Sequence, residues 1–200
     1  MCPHSGDRRG HAGVVLPIRS FVLGKARLAA DLDDAARADL GRRLAERVAD
    51  AARPFSVVVV TSAPEVRTWA EGRGLAVLDD PGSLDEAARR GQRHFAAAGV
   101  GRVVIAHADL PRARSLAALA RDASRPVVAL VPCHRDDGTN VLAVPADVAF
   151  GFSYGPGSFR RHVSETRRLG LGVRVVRDPD LAFDVDVPED LVALGAGCSA

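Results

Sequence analysis

Two spacings of apolar residues alternate along this chain, and they predict the order of its strands and helices. Short continuous apolar runs, such as the one over residues 55–61, are typical of strands buried on both faces. Apolar residues that recur every three or four positions are typical of amphipathic helices. Strands are therefore predicted over residues 14–17, 55–61, 76–78, 102–106, 126–131, 141–144, 173–176 and 184–187.

The helices are predicted from the apolar stripe together with the residues that favour a helix N-terminus. Asp33 and Asp34 precede one such stripe, and Ser83 followed by Glu86 has the spacing of a capping box. Pro64 and Pro188 each occupy a suitable first helical position. Helices are predicted over residues 35–52, 64–72, 84–98, 115–123 and 158–169, and from residue 188 onward.

This alternation of strand and helix predicts an α/β fold. It implies a mainly parallel sheet with helices on both faces, a Rossmann-like architecture of the kind that binds nucleotides. The length of 200 residues suits one hydrophobic core. We expect a single domain over residues 14–195, preceded by a flexible tail over residues 1–13.

The amino-acid composition limits the classes of partner that we expect for this protein. The formal net charge is only +2, and the chain has seven Phe, one Trp and one Tyr, so a nucleic-acid partner is not expected. No run of 18 apolar residues occurs, and the three cysteines have no paired spacing. We therefore expect a cytoplasmic protein without a membrane partner. The oligomeric state stays open, a homo-oligomer included.

Asp109 is the first candidate for chemistry. It follows the apolar run 103–106 and precedes Leu110 and Pro111, so its carboxylate is expected where a buried strand ends. Ligands collect at that edge of an open α/β sheet. Asp109 can either cap the next helix or meet a divalent cation that carries phosphates.

A second acidic pair favours the cation. Asp184 and Asp186 are two residues apart, so in an extended segment both carboxylates project to the same side while Val185 faces the core. Like charges side by side repel, and a bound cation compensates them. With Asp109, these carboxylates suffice for one or two Mg²⁺ ions, and we expect two.

Three loops contain residues that suit anions. Gly24 and Lys25 lie in the loop 18–27. In a second loop, Gly138 is followed by the hydroxyl group of Thr139 and the amide group of Asn140. The glycine-rich turn 155–158 opens a predicted helix, where free backbone N–H groups and the helix dipole favour a second small anion. Two ordinary turns and a helix cap at Ser158 are the alternative.

Five segments carry a resemblance. They are KARL (25–28), HADLP (107–111), GTN (138–140), YGPGSFRRH (154–162) and DVDVPEDL (184–191). In these segments the chain resembles the guanylyltransferase family of deazaflavin coenzyme (F-420) biosynthesis, whose members act on phosphoenolpyruvate or 2-phospho-L-lactate.

The resemblance implies a nucleotidyltransferase that joins GTP to a small phosphorylated carboxylate and releases pyrophosphate. It also implies the roles of individual residues. Asp109, Asp184 and Asp186 would be the metal ligands, with Lys25 and Asp109 catalytic. Lys25 and Arg27 would face the nucleotide phosphates, and Thr139, Gly155 and Ser158 would hold the acid.

The acceptor and two rival functions stay open. The Arg- and Ala-rich composition suggests a GC-rich bacterium, for which the family resemblance implies phosphoenolpyruvate in preference to 2-phospho-L-lactate and 3-phosphoglycerate. The rivals are another nucleotidyltransferase and a nucleotide-binding protein without activity. The second rests on Ser83 and Asp85, where family members usually carry Gly and Asn.

Overall fold

A computed structural model describes residues 12–120 and 126–196 of the chain. The predicted tail therefore lies largely outside the described residues, and its last two positions, 12 and 13, already belong to the first strand. The strands are β1 (Ala12–Pro17), β2 (Ser56–Val60), β3 (Ala76–Leu78), β4 (Arg102–Ala106), β5 (Val127–Pro132), β6 (Thr139–Pro145) and β7 (Gly172–Val175). The helices are α1 (Asp34–Ala51), α2 (Pro64–Gly72), α3 (Leu84–Ala97), α4 (Ala117–Ala120), α5 (Ser158–Arg168), α6 (Pro179–Ala182) and α7 (Pro188–Ala196).

The seven strands form one sheet in the order β3-β2-β1-β4-β6-β5-β7. All neighbouring pairs are parallel except those of β6, which runs antiparallel to both β4 and β5. The carboxyl ends of the other six strands consequently share one edge with the beginning of β6. The predicted α/β fold with a mainly parallel, mixed sheet is confirmed.

Apolar side chains fill both faces of the sheet. Val14 and Leu16 pack on the face that α1 and α2 cover, whereas Val15 packs on the opposite face with Ala87 and Phe95 of α3. This alternation follows from the two-residue period of a strand. Helices on both faces, as predicted, leave the sheet edge as the place where polar groups collect.

The helix caps expected from the sequence are present. The Asp33 carboxylate accepts a hydrogen bond from the N–H of Ala36, and the Ser83 hydroxyl accepts one from the N–H of Glu86. Each cap satisfies an N–H group that the first helical turn leaves without an intrahelical acceptor.

Several boundaries differ from the prediction by one or two residues, and four differences are larger or change an element. The segment 184–187 is not a strand, and among the described residues its backbone reaches the sheet edge through the bond from Val185 N to Asp109 O. Strand β6 begins at Thr139 instead of residue 141, since its first residues still pair with Pro132. Within the described residues the helix predicted over 115–123 covers only Ala117–Ala120, and residues 121–123 lie outside them. The short helix α6 was not predicted.

The described helices include none that is both long enough and apolar enough to cross a membrane.

Helix α3 approaches β1 closely at Gly91. A Cβ atom there would lie 2.5 Å from the Val15 Cγ atoms. We expect Gly91→Ala to lower the free energy of unfolding by about 1–3 kcal/mol through this overlap. In Gly72→Ala, the matched control, the new Cβ has nothing within 4 Å and the change should be neutral or slightly stabilising. Urea denaturation measures both, and equal stabilities of the two variants would contradict this packing.

Candidate active site

The shared sheet edge gathers residues from three distant parts of the chain. Lys25 lies in the loop after β1, Asp109 follows β4, and Asp184 and Asp186 lie in the segment between α6 and α7. The backbone bond from Val185 N to Asp109 O, at 3.3 Å, fixes the second acidic segment beside the first. The three acids predicted from the sequence therefore converge.

Lys25 is the cation at the centre of this group. Its Nζ atom donates to Asp109 Oδ2 at 2.7 Å and to Asp186 Oδ1 at 3.3 Å. Its backbone is left-handed, with φ of 57°. That conformation costs a non-glycine residue about 1 kcal/mol or more and persists where neighbouring contacts hold it. The two ion pairs are such contacts.

The pKa values reflect this charge arrangement. Burial would raise the pKa of Asp109, but Lys25 and then His107 outweigh it and hold the pKa below its usual value. Burial likewise opposes the charge of Lys25, yet Asp109 and Asp186 raise its pKa. Asp184 differs, because burial and the neighbouring charges of Asp109 and Asp186 all raise its pKa. One lysine thus leaves the three carboxylates with an excess of negative charge.

Carboxylate oxygens are suitable ligands for a cation, and one of these oxygens has no hydrogen-bond partner among the described residues. Asp109 Oδ1 is buried and accepts no hydrogen bond from any residue that the structure describes. Such an oxygen is a natural ligand of Mg²⁺. Among the described residues, 12–120 and 126–196, however, no group of three or more His, Cys, Asp and Glu side chains is arranged to hold a metal ion. Lys25 bridges two of the acids instead, and the roles of all three as metal ligands stay predictions.

Asp190, at the start of α7, fixes the position of the acidic segment 184–187. Its carboxylate accepts from the N–H groups of Asp186 and Val187 at 2.8 and 3.0 Å, and Arg135 donates to it at 2.8 Å. Asp184 in turn contacts His134 Nδ1 at 3.0 Å. These bonds explain how a segment outside the sheet keeps a fixed position.

Two cavities flank the acids. The first, of about 380 Å³, is lined by residues that include Arg19, Lys25, Ser83 and Asp109. The second, of about 350 Å³, is lined mainly by residues 133–140, 155–158 and 184–187. His107 borders both cavities. The ion-paired group therefore stands where two ligands could meet.

Two of the three basic residues of the first loop face different cavities. Lys25 borders the first cavity and Arg27 the second. The expectation that both face the nucleotide phosphates therefore requires phosphates that extend from one cavity to the other.

Thr139, Gly155 and Ser158 all border the second cavity, as the resemblance implied for an acid-binding group. Thr139 and Ser158 are almost fully buried. Their hydroxyl oxygens lie 3.5 Å apart. Gly155 and Gly157 have φ of 95° and 73°, which a residue with a Cβ atom rarely adopts.

The backbone of this turn offers fewer free donors than expected. The N–H of Gly157 donates to the Asp137 carboxylate at 2.9 Å, and the N–H groups of Ser158 and Phe159 donate to the carbonyls of Gly155 and Asp137. Asp137 thus occupies the positive end of α5. The Asp137 carboxylate takes one of these N–H groups and backbone carbonyls take two, so the anion site at this turn stays a prediction, with the hydroxyl groups of Thr139 and Ser158 as further donors.

Three residues with clear structural roles were missed. Asp85 accepts from the N–H of Tyr154 at 2.6 Å and so joins α3 to the turn. Arg161 donates to the carbonyls of the four successive residues 153–156. His162 contacts Thr139 at 3.0 Å. One signal was available, since Ser158 and His162 are four residues apart and share a helix face.

Comparisons with known proteins agree with this geometry. The family model described as "Guanylyl transferase CofC like" matches residues 12–196. A phosphoenolpyruvate guanylyltransferase from Rubrobacter xylanophilus is 37% identical over 189 residues, which cover 91% of this chain and 92% of the relative. A 3-phospho-D-glycerate guanylyltransferase from Phenylobacterium zucineum is 34% identical and covers 93% of this chain and 90% of its own length.

Solved structures share the fold at lower identity. A nucleotidyl transferase from Methanothermobacter thermautotrophicus superposes with a TM-score of 0.62 at 17% identity, covering 94% of this chain and 97% of its own. At that identity the likeness concerns the fold.

The buried His162 gives a pH dependence of stability. Burial, then the charges of Arg161 and His107, lower its pKa from 6.5 to about 4. The unfolded chain therefore takes up a proton near pH 6.5 that the folded protein does not, so the free energy of unfolding falls as the pH decreases from 6.5 to 4. We expect this residue to account for a loss of about 2–3 kcal/mol by pH 4.5. Urea titrations at pH 7.5 and 4.5 measure it, and an equal loss in His162→Gln would contradict the assignment.

Proposed function

The chain belongs to the family of CofC-like guanylyl transferases, and on that premise we propose that it joins GTP to phosphoenolpyruvate, giving enolpyruvyl-diphosphoguanosine and pyrophosphate. The names of the two relatives support a small phosphorylated carboxylic acid as the acceptor, namely phosphoenolpyruvate in one and 3-phospho-D-glycerate in the other. We assign the reaction to deazaflavin coenzyme biosynthesis.

One observation carries this proposal. The ion-paired group of Lys25, Asp109 and Asp186 stands between two cavities, each large enough for a small ligand. A transferase of this kind must bring a nucleoside triphosphate and a second phosphate compound together at one point. We assign the nucleotide to the first cavity and the acid to the second.

The chemical step needs little proton transfer. A phosphate oxygen of the acid attacks the α-phosphorus of GTP, the new P–O bond forms, and the bond to the bridging oxygen of pyrophosphate breaks. The attacking phosphate is already ionised at neutral pH, so a general base is not required. What the protein must overcome is the repulsion between two polyanions.

The residues of the site have the charges and donors for that task. Lys25 faces the first cavity with its ammonium fixed by two carboxylates, and it neutralises nucleotide phosphates there. Arg27 borders the second cavity, and its charge serves the phosphates that lie between the two. Thr139, Gly155 and Ser158 hold the acid.

We propose that Asp109, Asp184 and Asp186 hold two Mg²⁺ ions, on the grounds of their excess negative charge and the unpartnered Asp109 Oδ1. Bound cations of this kind supply charge neutralisation at phosphate oxygens. These three side chains would hold the ions, and the ammonium of Lys25, which pairs with Asp109 and Asp186, would then be available to the nucleotide phosphates.

The activity is tested by incubating the protein with GTP, Mg²⁺ and one acid at a time while pyrophosphate release is followed. We expect release with phosphoenolpyruvate and a product whose mass is that of the guanosine diphosphate-linked acid. Faster release with 3-phosphoglycerate or 2-phospho-L-lactate would replace the acceptor, and preference for CTP, UTP or ATP would replace the nucleotide. Tight GTP binding without release under any of these conditions would identify a protein without transferase activity.

The carboxylates are tested separately. Asp109→Asn and Asp186→Asn should each lower kcat by about 100-fold or more, because the charge that faces the phosphates changes while the shape is kept. The control is Asp147→Asn, an exposed carboxylate just after β6, at the opposite edge of the sheet. Circular dichroism melting curves check that all three variants fold. Unchanged turnover in the Asp109 and Asp186 variants would remove the metal-site proposal.

A further inference from the structure

His162 lies directly behind the two hydroxyl groups of the second cavity. Its side chain is fully buried on α5. Its Nε2 atom is 3.1 Å from the N–H of Ser153, and its Nδ1 atom is 3.0 Å from Thr139 Oγ1. The ring therefore connects the turn before α5 with the first residue of β6.

The partner at Nε2 determines which ring nitrogen carries the proton. A backbone N–H can only donate, so Nε2 must accept and cannot itself be protonated. A neutral imidazole has one N–H, which must then be on Nδ1. The low pKa of His162, about 4, keeps the ring neutral at physiological pH.

The Nδ1–H group then fills an acceptor position on Thr139. It donates to Thr139 Oγ1, so the hydroxyl proton of Thr139 cannot point back at the ring. Thr139 and Ser158 together have two hydroxyl protons, and their mutual contact at 3.5 Å uses one. In either direction of that contact, the other proton has no acceptor among the residues that the structure describes.

The unused proton is therefore available to the second cavity, which Thr139 and Ser158 both line. With the opposite tautomer, Nδ1 would instead accept from Thr139, Ser158 would donate to Thr139, and no hydroxyl proton would remain. The ring thus decides whether this wall of the cavity presents a hydrogen-bond donor to an anion.

We propose that His162 is a positioning residue for the acceptor: its Nδ1–H tautomer, fixed by Ser153, turns the Thr139–Ser158 hydroxyl pair into a donor for the acid substrate. This inference rests on the proposed function, because it assigns the acid to the second cavity. It names a determinant of acid binding that does not itself touch the acid.

A matched pair of variants tests it. His162→Asn keeps an amide N–H near the position of Nδ1, whereas the equally sized His162→Asp has only acceptor oxygens there, so both hydroxyl protons of Thr139 and Ser158 are used within the protein. We expect His162→Asp to raise the KM and the Kd for phosphoenolpyruvate about tenfold or more, with the KM for GTP changed less than about twofold. His162→Asn should retain most of the affinity for the acid.

Two further measurements separate positioning from a general loss of structure. Adding His162→Asp to Thr139→Val should weaken acid binding no further than Thr139→Val alone, because Thr139→Val removes the hydroxyl group on which the ring acts. In ¹⁵N spectra of the wild-type protein, the imidazole of His162 should carry its proton on Nδ1.

The outcomes are distinct. An Nε2-protonated ring, additive effects in the double variant, or parallel rises in the KM values of both substrates would overturn this inference while leaving the proposed function intact. Calorimetry that detects no binding of phosphoenolpyruvate, 3-phosphoglycerate or 2-phospho-L-lactate to the wild-type protein in the presence of GTP and Mg²⁺ would overturn both.

Discussion

The contact between the Lys25 ammonium and the carboxylates of Asp109 and Asp186 is the interaction on which the site depends. It joins the loop after β1, the end of β4 and the segment before α7. Asp109 is 84 residues from Lys25 along the chain, and Asp186 is 161 residues from it. Isolated carboxylates at a buried sheet edge would be costly, and a lysine there would lose its charge without them. The ammonium and the carboxylates therefore each stay charged because a group of opposite charge lies beside them. Their ion pairs hold the three segments together.

The sheet explains why these groups meet there. Six strands end at the same edge, and the reversed strand β6 begins at it, so residues that follow one strand lie beside residues that precede another. His107 N, just after β4, donates to the carbonyl of Asn140 in β6 at 2.9 Å. The amide of Asn140 donates to the carbonyls of Leu181 and Ala182 and connects the edge to the acidic segment. The edge is thus a continuous hydrogen-bonded unit, and polar side chains on it have fixed positions.

Local patterns in the sequence were sufficient for most of the fold but for only part of the site. Apolar runs and caps at Asp33 and Ser83 identified strands and helices because burial and N-terminal N–H groups act over a few residues. The pairing of β6 depends on strands far away in the chain, and its early start at Thr139 could not be read locally. The convergence of Asp109 with Asp184 and Asp186 followed from strand ends and the resemblance. The contacts of Asp85, Asp137 and His162 join separate segments, and nothing in their immediate neighbours indicates these partners.

The two cavities draw their walls from different stretches of the chain. The first is formed by residues 17–109, whereas the second takes nearly all of its lining from residues 133–187, and His107 is the residue that both share. Substitutions between 133 and 158 can therefore alter the shape of one compartment without changing the wall of the other. A fold divided in this way allows relatives to diversify the molecule bound on one side while inheriting the opposite side unaltered.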